Sequence, residues 1–68
     1  MRPYLASLSK HELQQGRGTL SFESSSVEYA LEYARDVLGV GLEEAHGKAL
    51  LQRVYVMDEA GRIRRVRL

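Results

Sequence analysis

The sequence predicts an α+β domain, in which a four-stranded antiparallel sheet of order β-β-α-β-β carries one helix packed on one face. Three observations predict it. Two alternating segments open the chain, an amphipathic helical segment occupies the middle, and two further apolar segments flank the turn sequence DEAG. With 68 residues, positions 1–68 form one small domain, close to the lower size limit for a self-supporting core.

Alternation with a period of two predicts the first two strands. In the segment YLASLS, Tyr4, Ala6 and Leu8 share one side of the first strand. In the segment TLSFE, Leu20 and Phe22 share one side of the second. The stretch between them, KHELQQGRG, contains two glycines and is predicted to be a loop that joins the two strands in antiparallel order.

Three serines in a row, at positions 24–26, mark the start of the helix. Ser25 and Glu28 have the spacing of a capping box, in which hydroxyl and carboxylate each accept from a free backbone N–H. Gly39 is placed to end the helix, because glycine adopts the left-handed conformation freely. Between them an apolar stripe runs at helical spacing, through Val27, Ala30, Leu31, Ala34 and Leu38.

The second half of the chain is predicted to end in a hairpin. After one short helical turn over Leu42–Gly47, a strand over Ala49–Met57 leads to the turn DEAG. Asp58 and Gly61 occupy the first and fourth positions of a type I turn, which in a hairpin usually carries a glycine bulge. Residues 62–68 then form the return strand.

A bulge at Gly61–Arg62 fixes the register of this hairpin and separates its side chains into two sets. One set is apolar and belongs against the helix: Val54, Val56, Val66 and Leu68, with Arg64 near the turn. The other set, the basic face, is predicted to contact a partner. It consists of Arg53, Tyr55, Met57, Ile63, Arg65 and Arg67.

Charge is segregated along the chain although the net charge is only +1. Residues 23–44 hold six acidic residues and one arginine, a net charge of −5, whereas residues 48–68 hold six basic and two acidic residues, a net charge of +4. Such a dipolar chain has one surface suited to an anionic partner. The chain has no cysteine, no long apolar run and no signal-like N-terminus, so we expect a cytoplasmic protein that does not enter a membrane.

The outer side of the helix is a secondary candidate for protein contact. It presents Tyr29, Tyr33 and Glu32, with further carboxylates nearby. One reading is a solvated acidic helix surface. The other is a protein-binding patch, because tyrosine supplies a large contact area at low entropic cost.

Catalytic and metal chemistry are weakly represented in the sequence. The spacing of Glu43 and His46 is half of a carboxylate–histidine pair used in di-metal bundles, and a single copy does not make a site. The serines are assigned to helix capping. The sequence gives no reason to place a serine, a histidine and an aspartate together at one cleft, as nucleophilic catalysis would require. We therefore expect no enzymatic activity, no cofactor and no bound metal.

The stretches RGTLSFESSSVEYALEYARDVLG and RVYVMDEAGRIRRV resemble, in their arrangement, very small phage and mobile-element proteins. Among these are anti-CRISPR inhibitors of type I surveillance complexes, which share the strands, the Gly-Thr entry to the second strand, the helix and a hairpin with an acidic-Gly turn. The resemblance implies an inhibitor that binds Cas subunits, often at their guide-RNA or target-DNA surfaces. It assigns no role to any individual residue.

The expected function is that of a non-enzymatic binding protein that occupies a partner's surface through the basic face. The partner would be a protein with an acidic or nucleic-acid-binding surface. Two alternatives use the same face: a small nucleic-acid-binding protein, and a structural module that forms a homodimer. Nucleic-acid binding would be recognised by an affinity that falls steeply with salt concentration. A homodimer would be recognised by a mass in solution of twice that of the chain.

Overall fold

The computed structural model of the protein describes residues 1–39 and 54–66. They form four strands, β1 (Arg2–Ser7), β2 (Leu20–Ser24), β3 (Tyr55–Met57) and β4 (Ile63–Arg65), and two helices, α1 (Lys10–Gln14) and α2 (Val27–Ala34). The strands pair antiparallel in the spatial order β2-β1-β3-β4. The predicted α+β fold, with a helix packed on a four-stranded sheet, is confirmed. The predicted turn over Leu42–Gly47 and residues 49–53 of the predicted strand lie outside the described residues.

The hydrophobic core lies between α2 and one side of the sheet. Side chains of even-numbered residues in the strands point to this side, because successive residues of a strand alternate. The predicted apolar stripe of α2 is confirmed, since it packs against those side chains. The buried members of this cluster are Tyr4, Ala6, Ala30, Ala34, Val54, Val56 and Val66.

Helix α2 begins one residue later than the capping-box prediction placed it. Ser26, rather than Ser25, is the N-cap, and its hydroxyl accepts a hydrogen bond from the Tyr29 backbone N–H at 3.2 Å. Ser24 is buried, and its hydroxyl donates to the carbonyl oxygen of Ser26. Beyond Ala34 the helix continues as a π-helical turn, Arg35–Gly39. Gly39, predicted to be the C-cap, is instead the last described residue of this π-helical turn.

The loop predicted between the first two strands is wrong over residues 10–14, which form α1. Ser9 is its N-cap and accepts from the Glu12 backbone N–H, and Gly16 follows the helix with a φ of 78°. Ser9 and Glu12 have the capping-box spacing, and Gly16 is a helix-stop signal. The sequence thus contained both signals for this helix. Leu13 of α1 is fully buried but does not belong to the core cluster under α2, so α1 covers a separate part of the sheet, at β1 and β3.

Strand β1 starts and ends two residues earlier than predicted, at Arg2 and Ser7. Leu8 was expected to share a side with Tyr4 and Ala6. The strand ends before Leu8, which is 38% exposed. The helix that follows explains the difference, because the Ser9 cap turns the chain out of the sheet.

Candidate protein-contact face

The β3–β4 turn has the predicted geometry. The Gly61 backbone N–H donates to the Asp58 carbonyl at 3.0 Å, which closes the type I turn. Gly61 has a φ of 85°, where L side chains are strained, and the Asp58 N–H donates to the Arg62 carbonyl. This is the turn-plus-glycine-bulge arrangement that sets the register of both strands.

The Asp58 side chain holds this turn in place. Its Oδ1 accepts from the backbone N–H groups of Ala60 (3.0 Å) and Arg62 (2.9 Å), and its Oδ2 accepts from the Arg64 guanidinium at 3.0 Å. The hydrogen bond from the Arg62 backbone, followed by that from Arg64, lowers the pKa of Asp58 below its ordinary value. Arg64 thus lies near the turn, as predicted, and stabilises the hairpin through its hydrogen bond to Asp58.

The predicted register of the hairpin is confirmed wherever it is described. Met57 pairs with Ile63 and Tyr55 with Arg65, and the Val66 N–H donates to the Val54 carbonyl at 2.8 Å. The two sets of side chains separate as predicted. Val54, Val56 and Val66 are 0%, 1% and 3% exposed, whereas Tyr55, Met57 and Ile63 are half-buried on the other side of the sheet.

An apolar row crosses three strands on the side of the sheet opposite α2. Leu5 pairs with Met57, and Met57 pairs with Ile63, so the three side chains are neighbours on one surface. Each of them is half-buried. The sequence prediction missed Leu5, although the alternation in YLAS already placed it opposite Tyr4 and Ala6.

A second row runs beside the first. Ser7 pairs with Tyr55, and Tyr55 pairs with Arg65. Ser7 is fully buried, and its hydroxyl donates to Glu12 of α1 at 3.2 Å. Helix α1 therefore lies at the Ser7 end of this side of the sheet and leaves the apolar row half-exposed.

We call this surface the contact face and define it by Leu5, Tyr55, Met57, Ile63 and Arg65. It contains four of the six residues predicted for the basic face. Arg65 is exposed at its border, on the edge strand β4, and also lines a pocket on the α2 side together with Glu28 and Glu32. Arg53 and Arg67 lie outside the described residues. The described part is thus chiefly apolar, with one tyrosine and one arginine.

The tyrosines of the secondary candidate lie on the other side of the molecule, where α2 packs beside β2. Tyr29 is 64% exposed and Tyr33 is 46% exposed. The Tyr33 ring packs on Phe22 of β2 with 4.9 Å between ring centroids, so it also anchors α2 to the sheet. A groove of about 400 Å³ opens here, the tyrosine groove, lined by Met1, Glu23, Ser24, Ser25, Tyr29, Glu32, Tyr33 and Asp36.

The chain has two histidines, of which His11 is described and His46 is not. His11 lies on α1, where its Nε2 is 3.0 Å from the side-chain nitrogen of Gln15. His46 and Glu43 lie outside the described residues. Within residues 1–39 and 54–66, no three histidine or acidic side chains come together as a metal site would require.

Comparison of the chain with protein-family models, curated proteins and solved structures found no match. In the part of the chain that the structure describes, every helix is too short or too polar to cross a bilayer.

Proposed function

We propose that this is a non-enzymatic binding protein of the cytoplasm, which acts by covering a surface of a partner protein with its contact face. The observation that carries the proposal is the apolar row Leu5–Met57–Ile63, half-exposed across three strands. Apolar side chains ringed by polar ones are typical of the centre of a protein interface. Tyr55 and Arg65, which flank the row, are of the residue types that dominate interface energies.

A protein partner agrees better with the described contact face than a nucleic acid does. Single-stranded nucleic acid is usually bound by several stacked aromatics along a cationic groove. The described contact face has one aromatic ring, Tyr55, and three aliphatic or thioether side chains. The predicted contributions of Arg53 and Arg67 would add charge at its border, where charge mainly sets the association rate and specificity.

The resemblance to small anti-CRISPR proteins supplies one partner that can be tested. On this hypothesis the contact face covers a Cas subunit at the surface that binds guide RNA or target DNA. Inhibition would then need no chemistry, because occupancy alone excludes the nucleic acid. The expected result is loss of target-DNA binding by a purified type I complex when the protein is added.

The binding proposal itself is tested by two matched variants. Ile63→Lys places a charge in the apolar row, whereas Val37→Lys makes the same kind of change at an exposed position on the α2 side. We expect Ile63→Lys to weaken capture of a reconstituted partner at least tenfold and Val37→Lys to leave it unchanged. Equal binding by wild type and Ile63→Lys, with both variants folded, would show that the contact face is assigned to the wrong surface.

Two further measurements separate the alternatives. A nucleic-acid ligand would bind with an affinity that falls steeply with salt, because counterions are released. A homodimer through the contact face would sediment at twice the chain mass, and Ile63→Lys would return it to the monomer. We expect neither result.

A further inference from the structure

The outer edge of β2 carries backbone groups that point away from the sheet. In an antiparallel pair, the backbone N–H and C=O groups of successive residues point alternately to one neighbouring strand and to the other. The Asp58 N–H donates to the Arg62 carbonyl and the Val66 N–H to the Val54 carbonyl, so the backbone groups of even-numbered residues in and beside β3 point to β4. Through the registers of β3 with β1 and of β1 with β2, the groups of Ser21 and Glu23 then face outward. Pro3, which has no N–H and pairs with Glu23, agrees with this assignment.

Within residues 1–39 and 54–66, no strand pairs with this outer edge. Sheet edges are commonly protected by charged side chains, proline or bulges. The opposite edge, β4, follows a glycine bulge and carries Arg64 and Arg65, whereas β2 reads Leu-Ser-Phe-Glu-Ser and has a single charge. The β2 edge is therefore the less protected of the two.

The tyrosine groove runs beside this edge and gives it chemical selectivity. Its walls are the exposed rings of Tyr29 and Tyr33, and Glu32 and Asp36 supply carboxylates, of which Asp36 also pairs with Arg35 at 3.5 Å. Glu23 lines the groove at the β2 edge. Guanidinium groups stack on aromatic rings and pair with carboxylates in the same site. An arginine side chain complements these walls in shape and in charge.

We propose that the β2 edge and the tyrosine groove together bind an extended, arginine-bearing segment of a partner protein, which adds to the sheet as a fifth strand. Backbone hydrogen bonds to Ser21 and Glu23 would supply affinity, and alternate side chains of the segment would enter the groove. This site is separate from the contact face, and its existence does not depend on the function proposed above.

A second copy of the chain fits this edge poorly. Twofold pairing of β2 with β2 would bring two acidic grooves next to each other, and like charges there repel. Pairing of the basic β4 edge with β2 of another copy is head-to-tail, so it leads to open chains of molecules rather than a closed dimer. The charge of the groove therefore favours a basic segment from a different protein.

The probe for the test is a blocked peptide, acetyl-Val-Arg-Val-Arg-Val-amide, titrated to about 1 mM into ¹⁵N-labelled protein. We expect the backbone amide signals of Ser21 and Glu23 to shift, together with those of Tyr29 and Tyr33. Two control peptides should fail to bind: one with glutamate in place of arginine, and one N-methylated at alternate amides, which cannot pair with an edge.

Matched variants test the groove. Glu32→Gln removes a carboxylate from the groove, and Glu28→Gln removes one from the same helix outside it. We expect Glu32→Gln to lower the affinity for the peptide about three- to fivefold, the range of an exposed ion pair. Adding Asp36→Asn should lower that affinity further. Tyr29→Ala, which removes an exposed ring, should weaken it about tenfold, whereas Glu28→Gln should have no effect.

Three outcomes would overturn the proposal. The first is no binding of the peptide at 1 mM. The second is binding that leaves the Ser21 and Glu23 amides unmoved or is indifferent to Glu32→Gln. The third is a dimer in sedimentation that the variant Ser21→Pro, which lacks the outward backbone N–H, returns to the monomer. A second copy of the chain would then occupy the β2 edge.

Discussion

The two sides of the sheet are built differently. The α2 side is a continuous core, in which Val54, Val56 and Val66 are buried together with Ala30 and Ala34. The opposite side is covered at one end by α1 and leaves a half-exposed apolar row at the other. Alternate residues of one hairpin therefore serve stability on one side and are available for contact on the other.

Removal of Leu13 tests how firmly α1 closes its end of the sheet. Leu13 is fully buried, so Leu13→Ala should lower the free energy of unfolding by about 3 kcal/mol. Urea denaturation measures this, with the exposed neighbour Gln14→Ala as the control, for which a change below about 0.5 kcal/mol is expected. A loss below about 1 kcal/mol for Leu13→Ala would mean that α1 contributes little to the fold.

Neighbouring residues of β3 should separate stability from binding. Val56→Ala removes buried methyl groups and should cost about 2 kcal/mol of stability while the affinity of the folded protein for its partner is kept. Met57→Ala, on the contact face, should cost less than about 1 kcal/mol and lose most of the affinity. Denaturation and binding are measured on the same samples. The reverse pattern would mean that the two sides have been exchanged.

The glycine of the hairpin turn should be costly to replace. Gly61 has a φ of 85° and no neighbour close to where a Cβ would be placed, so the cost of Gly61→Ala is backbone strain alone. We expect a loss of about 1 kcal/mol in the free energy of unfolding. Glu59→Ala, in the same turn, should change it by less than about 0.5 kcal/mol. Equal effects of the two changes would contradict the assigned turn.

The smallest expected effect is in the dependence of stability on pH. The pKa of Asp58 is lowered in the folded protein, so its contribution to stability is present above the unfolded value of 3.8 and is lost as pH falls through the folded value. In Asp58→Asn the fall of the melting temperature between pH 5 and pH 2 should be shallower. An unchanged slope would mean that Asp58 does not hold the turn.

Much of the hairpin could be predicted from the sequence because its signals are local. Asp58 and Gly61 fix the turn, and a register set by a turn decides the side of every residue that follows. The helix stripe was equally clear. The segment KHELQQGRG carries conflicting signals: its two glycines favour a loop, whereas the Ser9–Glu12 cap favours the helix α1 that forms.

The site was harder to predict than the fold, because it depends on contacts between distant segments. Leu5 joins the contact face only through the pairing of β1 with β3, and the sequence does not state which strands become neighbours. The tyrosine groove likewise requires the packing of α2 beside β2, which brings Tyr33 onto Phe22. The π-helical turn Arg35–Gly39 has no signal that we can identify in the sequence.

The most direct test of the contact face is thiol labelling, which is straightforward because the chain has no cysteine of its own. Met57→Cys and Val56→Cys are labelled in the native state, with and without the partner. We predict that Cys at position 57 reacts in the free protein and is protected in the complex, while Cys at position 56 is protected in both. Labelling at position 57 that is equally fast in the free and bound protein would contradict the account.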